Sequence, residues 1–136
     1  MLAQPTEEHP NAALARRIFG AFARRDGASV VAALDDEVVW RVGGESPVAG
    51  EYRGRRQVIE FLRMTTQATD GSYRSSLLYA LADDERAVAV YRARGQRPDG
   101  REIDIEQILL CRVRDGRFVE VVAVPIDQRA FDAFWS

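Results

Sequence analysis

The stretch Asp35–Leu62, DDEVVWRVGGESPVAGEYRGRRQVIEFL, constrains the fold of this chain more than any other part of it. From Glu37 to Val42 the side chains alternate, with Val38, Trp40 and Val42 on one face of a strand and Val39 and Arg41 on the other. Gly43-Gly44 breaks that strand, and Ser46-Pro47 and Gly50 keep either neighbour from running through the loop that follows. Val58, Phe61, Leu62 and Thr65 then recur at helical spacing, so an amphipathic helix opens just after Gly54. A strand feeding a helix in this way calls for a sheet with helices laid on one face.

The flanking sequence supplies both parts. Asn11 stands where an N-cap belongs, before a helix with Leu14, Ile18 and Phe22 inside and Arg16, Arg17, Arg24 and Arg25 in water. Asp26-Gly27 ends it, Ser29 opens a short second helix through Leu34, and Asp35-Asp36 turns into the first strand. The third helix runs from about Gly54 to Thr69. Residues 1–10 read as a mobile N-terminal arm and residues 11–136 as a single domain. From Ser72 the pattern changes to strands: 72–82, 87–95, 102–114 and 117–126. Asp83-Asp84-Glu85, Pro98-Asp99-Gly100 and Asp115-Gly116 separate them, the last two as hairpin turns. A final helix begins near Asp127, with Phe131, Phe134 and Trp135 on one side. Helices first and a meander afterwards make an α+β arrangement. The early helices must cover one face of the sheet, and a cone built that way leaves a cavity at its open end.

Composition removes several kinds of chemistry. All nineteen basic residues are Arg, so a Schiff-base lysine and a phosphate-binding P-loop are both excluded. Cys111 and His9 are each the only residue of their type, which forbids an intrachain disulfide and a His/Cys metal site. No Asp-rich loop has calcium spacing, and the expectation is no metal and no cofactor. Net charge is −2 with both signs interspersed, unlike the basic footprint of a nucleic-acid binder. No run reaches membrane-span length and no basic-then-apolar leader opens the chain, so a cytoplasmic protein without a membrane partner is expected.

Val39-Trp40, the loop Ser46–Gly54, the turn Arg112–Arg117 and the ending from Asp127-Gln128 to Phe134-Trp135 together resemble the SnoaL-like branch of the nuclear transport factor 2-like superfamily. The resemblance covers essentially Asn11 to Ser136. It implies a cone of three N-terminal helices on a curved, mainly antiparallel sheet with a short C-terminal helix. It also implies a pocket for an apolar small molecule. Ketosteroid isomerases, polyketide cyclases, limonene-type epoxide hydrolases and non-catalytic scaffolds share that fold, so the site must decide the function. At the position matching the isomerases' proton-abstracting Asp this chain has Arg41, whose guanidinium stays protonated. Ile18 falls near their oxyanion-hole Tyr, and Gln107 and Leu109 fall where relatives carry acidic or His groups. The usual steroid proton shuttle is therefore not expected.

Five residues are candidates for the site. Arg41 either holds a ligand carboxylate or enolate oxygen inside the pocket or pairs with Glu45 or Glu51 at the strand end. Gln107 interrupts the apolar row Ile103, Ile105, Leu109, Cys111 and Val113, and its amide must find a partner in the protein or in a ligand. Trp40 either stacks on a ligand or packs in the core or a dimer contact. Tyr52, in the loop expected to rim the mouth, either bonds a ligand carbonyl or packs as a lid. Asp127 is either an acid/base, as the resemblance to SnoaL-like cyclases implies, or the N-cap of the last helix. Three functions follow. One is a cofactor-free isomerase, cyclase or hydrolase of an apolar, oxygen-bearing metabolite, with Arg41 holding an oxyanion and Asp127 or Tyr52 moving a proton. The others are a non-catalytic ligand-binding protein and a homodimeric interaction module joined through the convex face of the sheet.

Overall fold

A proline can open a helix because the N–H it lacks would be unpaired in the first turn anyway, and Pro10 does so here. The computed structural model describes residues 8–136. Helix α1 spans Pro10–Arg24 and α2 spans Gly27–Ala33. Of the expected arm, residues 1–7 lie outside the described residues. His9, not Asn11, caps α1: its Nδ1 accepts from the Asn11 amide at 3.0 Å. Asn11 is spent elsewhere, its Nδ2 donating to the Asp83 carbonyl at 2.9 Å and tying the helix start to a distant turn. Asp26, not Ser29, caps α2, its Oδ1 accepting from the Ser29 N–H at 3.1 Å.

Strand β1 (Leu34–Val42) follows α2 directly, so Asp35-Asp36 is no turn but part of an irregular strand start. Strand β2 (Gly50–Arg53) lies inside the segment expected as loop and pairs antiparallel with β1, Trp40 opposite Tyr52 and Arg41 opposite Glu51. Four residues, one of them glycine, are too few to show alternation. Helix α3 (Gly54–Ala68) then leads to a meander of β3 (Arg74–Ala82), β4 (Arg86–Gln96), β5 (Glu102–Arg114) and β6 (Arg117–Pro125), and α4 (Gln128–Trp135) ends the chain.

The six strands form one sheet in the order β2-β1-β6-β5-β4-β3, antiparallel except for the parallel pair β1 and β6. Register shifts in β1, in β3 between Leu77 and Tyr79, and between Arg112 and Val113 bend the strands and curl the sheet toward the helices. Helix α1 lies over β3 and β4, where Ala87, Ala89 and Ala93 point inward and allow close approach, while α3 lies over β1 and β2. The dry core gathers Leu34, Val38, Val58, Phe118, Val121 and Phe134. The result is the expected α+β cone, four helices on a mixed sheet. None of the described helices is long and apolar enough to cross a membrane.

Gly44 fixes how the chain leaves β1. Its φ of +102° lies where side-chain-bearing residues are strained, and a methyl there would run into Asp132 Oδ1 and Gln128 Nε2 on α4. Those two side-chain ends can move, but the backbone angle cannot be relieved as easily. Gly44→Ala should therefore lower unfolding stability by about 1–2 kcal/mol. Urea denaturation followed by circular dichroism measures this, and an unchanged midpoint would contradict it.

Candidate functional site

Between the inner face of the sheet and helices α1 and α3 lies a cavity of about 750 Å³, with Phe131 and Trp135 of α4 along one side. Its walls are aromatic and aliphatic: Phe19 and Phe22 from α1, Trp40 from β1, Phe61 and Leu62 from α3, and Trp135 from α4. The rings brace one another. Phe19 meets Tyr91 at 4.9 Å between centroids, Tyr73 meets Trp135 at 5.4 Å, and Trp40 meets Phe61 at 6.4 Å. Gly95 makes room for Tyr73, since a Cβ there would lie 3.2 Å from the Tyr73 ring and backbone.

Two buried polar side chains sit on the cavity wall. Gln107 of β5 and Tyr91 of β4 are cross-strand partners, and Gln107 Nε2 donates to the Tyr91 hydroxyl at 2.6 Å. Among the described residues Gln107 Oε1 has no partner, although the residue is only 2% exposed. The indole N–H groups of Trp40 and Trp135 are likewise buried and unpartnered. The residues around this apolar chamber thus include one amide, one phenol and two indoles, the composition of a small-molecule site. Burial pushes the Tyr91 phenol well above its ordinary range, with the neighbouring Tyr73 adding to the effect. Burial likewise pushes Tyr73 up to about 12. Both phenols therefore remain protonated at neutral pH and serve as hydrogen-bond donors, not bases.

The five expected site residues divide. Trp40 and Gln107 line the cavity. Gln107 takes the internal alternative through its Nε2, which bonds Tyr91, while its Oε1 is buried without a partner among the described residues. Trp40 is a core residue whose exposed edge is the cavity wall, not the convex face. Arg41 is a correction. Since Val38, Trp40 and Val42 point inward, pleat parity sends Arg41 to the outer face. There Nε bonds Glu51 Oε1 at 2.8 Å and Nη1 bonds Glu120 Oε2 at 2.9 Å. The salt-bridge alternative holds for Arg41, and it cannot reach a ligand in the cavity. Tyr52 is also corrected: its hydroxyl donates to the Val48 carbonyl at 2.6 Å and its ring stacks behind Phe61 at 4.3 Å, one layer removed from the cavity. Asp127 is the cap of α4, Oδ1 accepting from the Ala130 N–H at 3.0 Å, and lies outside the cavity.

Tyr91, Tyr73 and Trp135 were not singled out from the sequence as site residues. A signal for the first was available. The hairpin centred on Asp99 sets equidistant residues opposite each other, which places Tyr91 against Gln107. Cys111, which also points inward, is buried and its thiol is pushed up to about 12, so it packs as an unreactive side chain.

Comparison with known proteins agrees with this architecture. A family model described as a SnoaL-like domain matches residues 15–121. The uncharacterized protein Rv0034 of Mycobacterium tuberculosis is 34% identical over 124 residues, covering 90% of this chain and 94% of its own length. Among solved structures, Bal32a from a soil-derived mobile gene cassette superposes with a TM-score of 0.90 at 26% identity, covering 93% of this chain and 97% of that one. TerC, co-crystallised with polyporic acid, superposes with a TM-score of 0.81 at 18% identity, covering 93% and 98%, a likeness of fold alone.

Alkaline titration checks the burial of these groups. The folded protein holds protons at Cys111 and Tyr73 up to about pH 12, whereas the unfolded chain releases them near 9 and 10. Folding stability from these groups is therefore fully present below pH 9 and falls as pH rises toward 12. The thermal midpoint should drop across that window, and Cys111→Ala should flatten its lower part. A midpoint independent of pH from 9 to 11 would refute the assignment.

Proposed function

The chain belongs to the SnoaL-like domain family, and from that premise we propose that it is a ligand-binding protein for an apolar ring system bearing carbonyl or hydroxyl oxygens. The observation that carries this reading is the Gln107–Tyr91 pair, with Gln107 Oε1, the Trp40 N–H and the Trp135 N–H buried and unpartnered among the described residues, all on side chains that line the same apolar chamber. A buried polar group left without a partner costs about 1–3 kcal/mol. A ligand oxygen that accepts from Tyr91 or an indole, or a ligand hydroxyl that donates to Gln107, removes that penalty while the rings pack on hydrocarbon.

The same inventory weighs against proton-transfer chemistry. Tyr91 and Tyr73 are held protonated, and Asp26, the carboxylate among the described lining residues, is occupied by Ser29 at the rim. The oxyanion role given to Arg41 and the proton-moving roles given to Asp127 and Tyr52 have no access to a ligand in the cavity. What the cavity can do chemically is orient a ligand and polarise its carbonyl through a phenol.

We further propose that a second copy covers the convex face, joining the chain as a homodimer. Leu81 of β3, 63% exposed, lies there in line with Val88 of β4, Leu110 of β5 and Val122 of β6, and Tyr79, 54% exposed, lies in the next line with Val90, Ile108 and Val124. An apolar band of that extent, rimmed by Arg92, Asp104, Arg112 and Glu120, is what a subunit contact requires.

Two tests address these readings. Calorimetric titration with α-tetralone and with tetralin, its parent hydrocarbon, should show tighter binding of the ketone. Gln107→Leu combined with Tyr91→Phe should erase about a fivefold to tenfold preference while sparing the hydrocarbon. Equal affinity for the two compounds would overturn the ligand reading. Light scattering should find a dimer at micromolar concentration, and Leu81→Arg with Leu110→Arg should make it monomeric. A monomeric parent protein would dismiss the interface.

A further inference from the structure

Three arginines, Arg25, Arg63 and Arg74, line the mouth of the cavity, where α1 ends, α3 faces outward and β3 begins. Among the described residues none of the three is in an ion pair with a carboxylate, whereas Arg24, next in sequence to Arg25, is. Two of them converge. Arg25 Nη2 donates to the Gly71 carbonyl at 2.6 Å and Arg74 Nη1 donates to the same oxygen at 2.7 Å. Like charges brought together on one neutral acceptor repel, and an anion between them relieves the repulsion. Arg25 is held at this point by the backbone, since as the C-cap of α1 it adopts φ +54°, uncommon for a residue with a side chain. Arg63, on the facing helix, makes no side-chain hydrogen bond or ion pair with the described residues and is free to swing over the opening. The carboxylate at the mouth, Asp26, is directed to Ser29 Oγ at 2.6 Å and lies 3.8 Å from Arg24.

We infer that the cavity's ligand is an acid: a ring system inside the aromatic chamber whose carboxylate, sulfonate or similar anionic group lies at the mouth between Arg25, Arg74 and Arg63. The inference rests on the ligand-binding reading above and adds the charge of the ligand and the end from which it is held. The chain's overall charge is −2, so the cationic mouth is a local arrangement and not a by-product of a basic protein. Guanidinium groups suit the role because their fixed fork meets the two oxygens of a carboxylate or sulfonate together. The site then has two ends, a neutral hydrogen-bonding wall at Gln107 and Tyr91 and a charged mouth. A molecule apolar in the middle and oxygenated at both ends satisfies them together.

Two dyes with the same ring system isolate the charge. The fluorescence probe 8-anilinonaphthalene-1-sulfonate carries an anion, and N-phenyl-1-naphthylamine is the same molecule without it. The double variant R25Q/R74Q should bind the sulfonate about tenfold more weakly and the neutral amine within about twofold of the parent protein. Arg25 and Arg74 also hold the Gly71 turn, so R63Q gives an independent reading from a residue with no fold contacts. It should weaken the sulfonate by about twofold to threefold and leave the amine alone. Raising ionic strength should weaken the sulfonate with the parent protein and have less effect with R25Q/R74Q. Equal losses for both dyes, or a sulfonate affinity untouched in every variant, would overturn the charged mouth while leaving the cavity reading intact. Failure of both dyes to bind the parent protein would overturn the cavity reading, and this inference with it.

Discussion

A pleated strand sends alternate side chains to opposite faces, and the whole molecule follows from how that rule is phased across six hydrogen-bonded strands. Once Trp40 pairs beside Val121, and Val42 beside Ala123, the inner face of the sheet is defined from β1 through β6. The antiparallel ladder carries the phase onward, Val121 to Cys111 and Gln107 to Tyr91. Every inward residue then becomes core under a helix or wall of the cavity, and every outward one meets solvent or a partner. A one-residue slip in β1 would exchange Trp40 for Arg41 and put an ion-pair network where the aromatic wall now stands.

That rule was readable in the sequence, but its absolute phase in β1 was not. Val38, Trp40 and Val42 were correctly set on one face and Arg41 on the other. Which face was inner depended on partners distant in the chain. Glu51 and Glu120, which hold Arg41 outside, come from a strand four residues long and from the far end of the meander. Gln107 was legible because it broke a long apolar row, and its strand gave enough residues to fix its side. The start of α2 differs by a few positions because Asp26, itself a good capping residue, accepts from the Ser29 N–H, and the cap of α1 passes from Asn11 to His9 for a tertiary reason. Asn11 is drawn off to the Asp83 carbonyl, a bond no local pattern reveals.

The aromatic residues of the site were the least legible part. Tyr73, Tyr91 and Trp135 have the composition of ordinary core, and only their meeting around an unfilled volume distinguishes them. Sequence periodicity reports which face a residue occupies, not whether the opposite layer reaches it. Here α1 settles close over alanines of β4, while α3 meets the sheet through Phe61 and Leu62, and the space between them is the cavity. The cavity is thus a product of layer geometry, set in part by residues such as Ala87, Ala89 and Ala93 that do not themselves line it.

A site of this design holds hydrogen-bonding groups inside the cone without holding charge there. Acid/base chemistry needs a titratable group whose charge survives inside the cone, and desolvation works against that charge at every inward position. A neutral amide such as Gln107 offers hydrogen-bonding groups there and carries no charge. The arginines that remain are placed where desolvation is mild: Arg41 on the convex face with two carboxylates, and Arg25, Arg63 and Arg74 at the mouth, in reach of water. Charge around this site therefore sits at the edge of the cone, and the neutral hydrogen-bonding groups sit inside it.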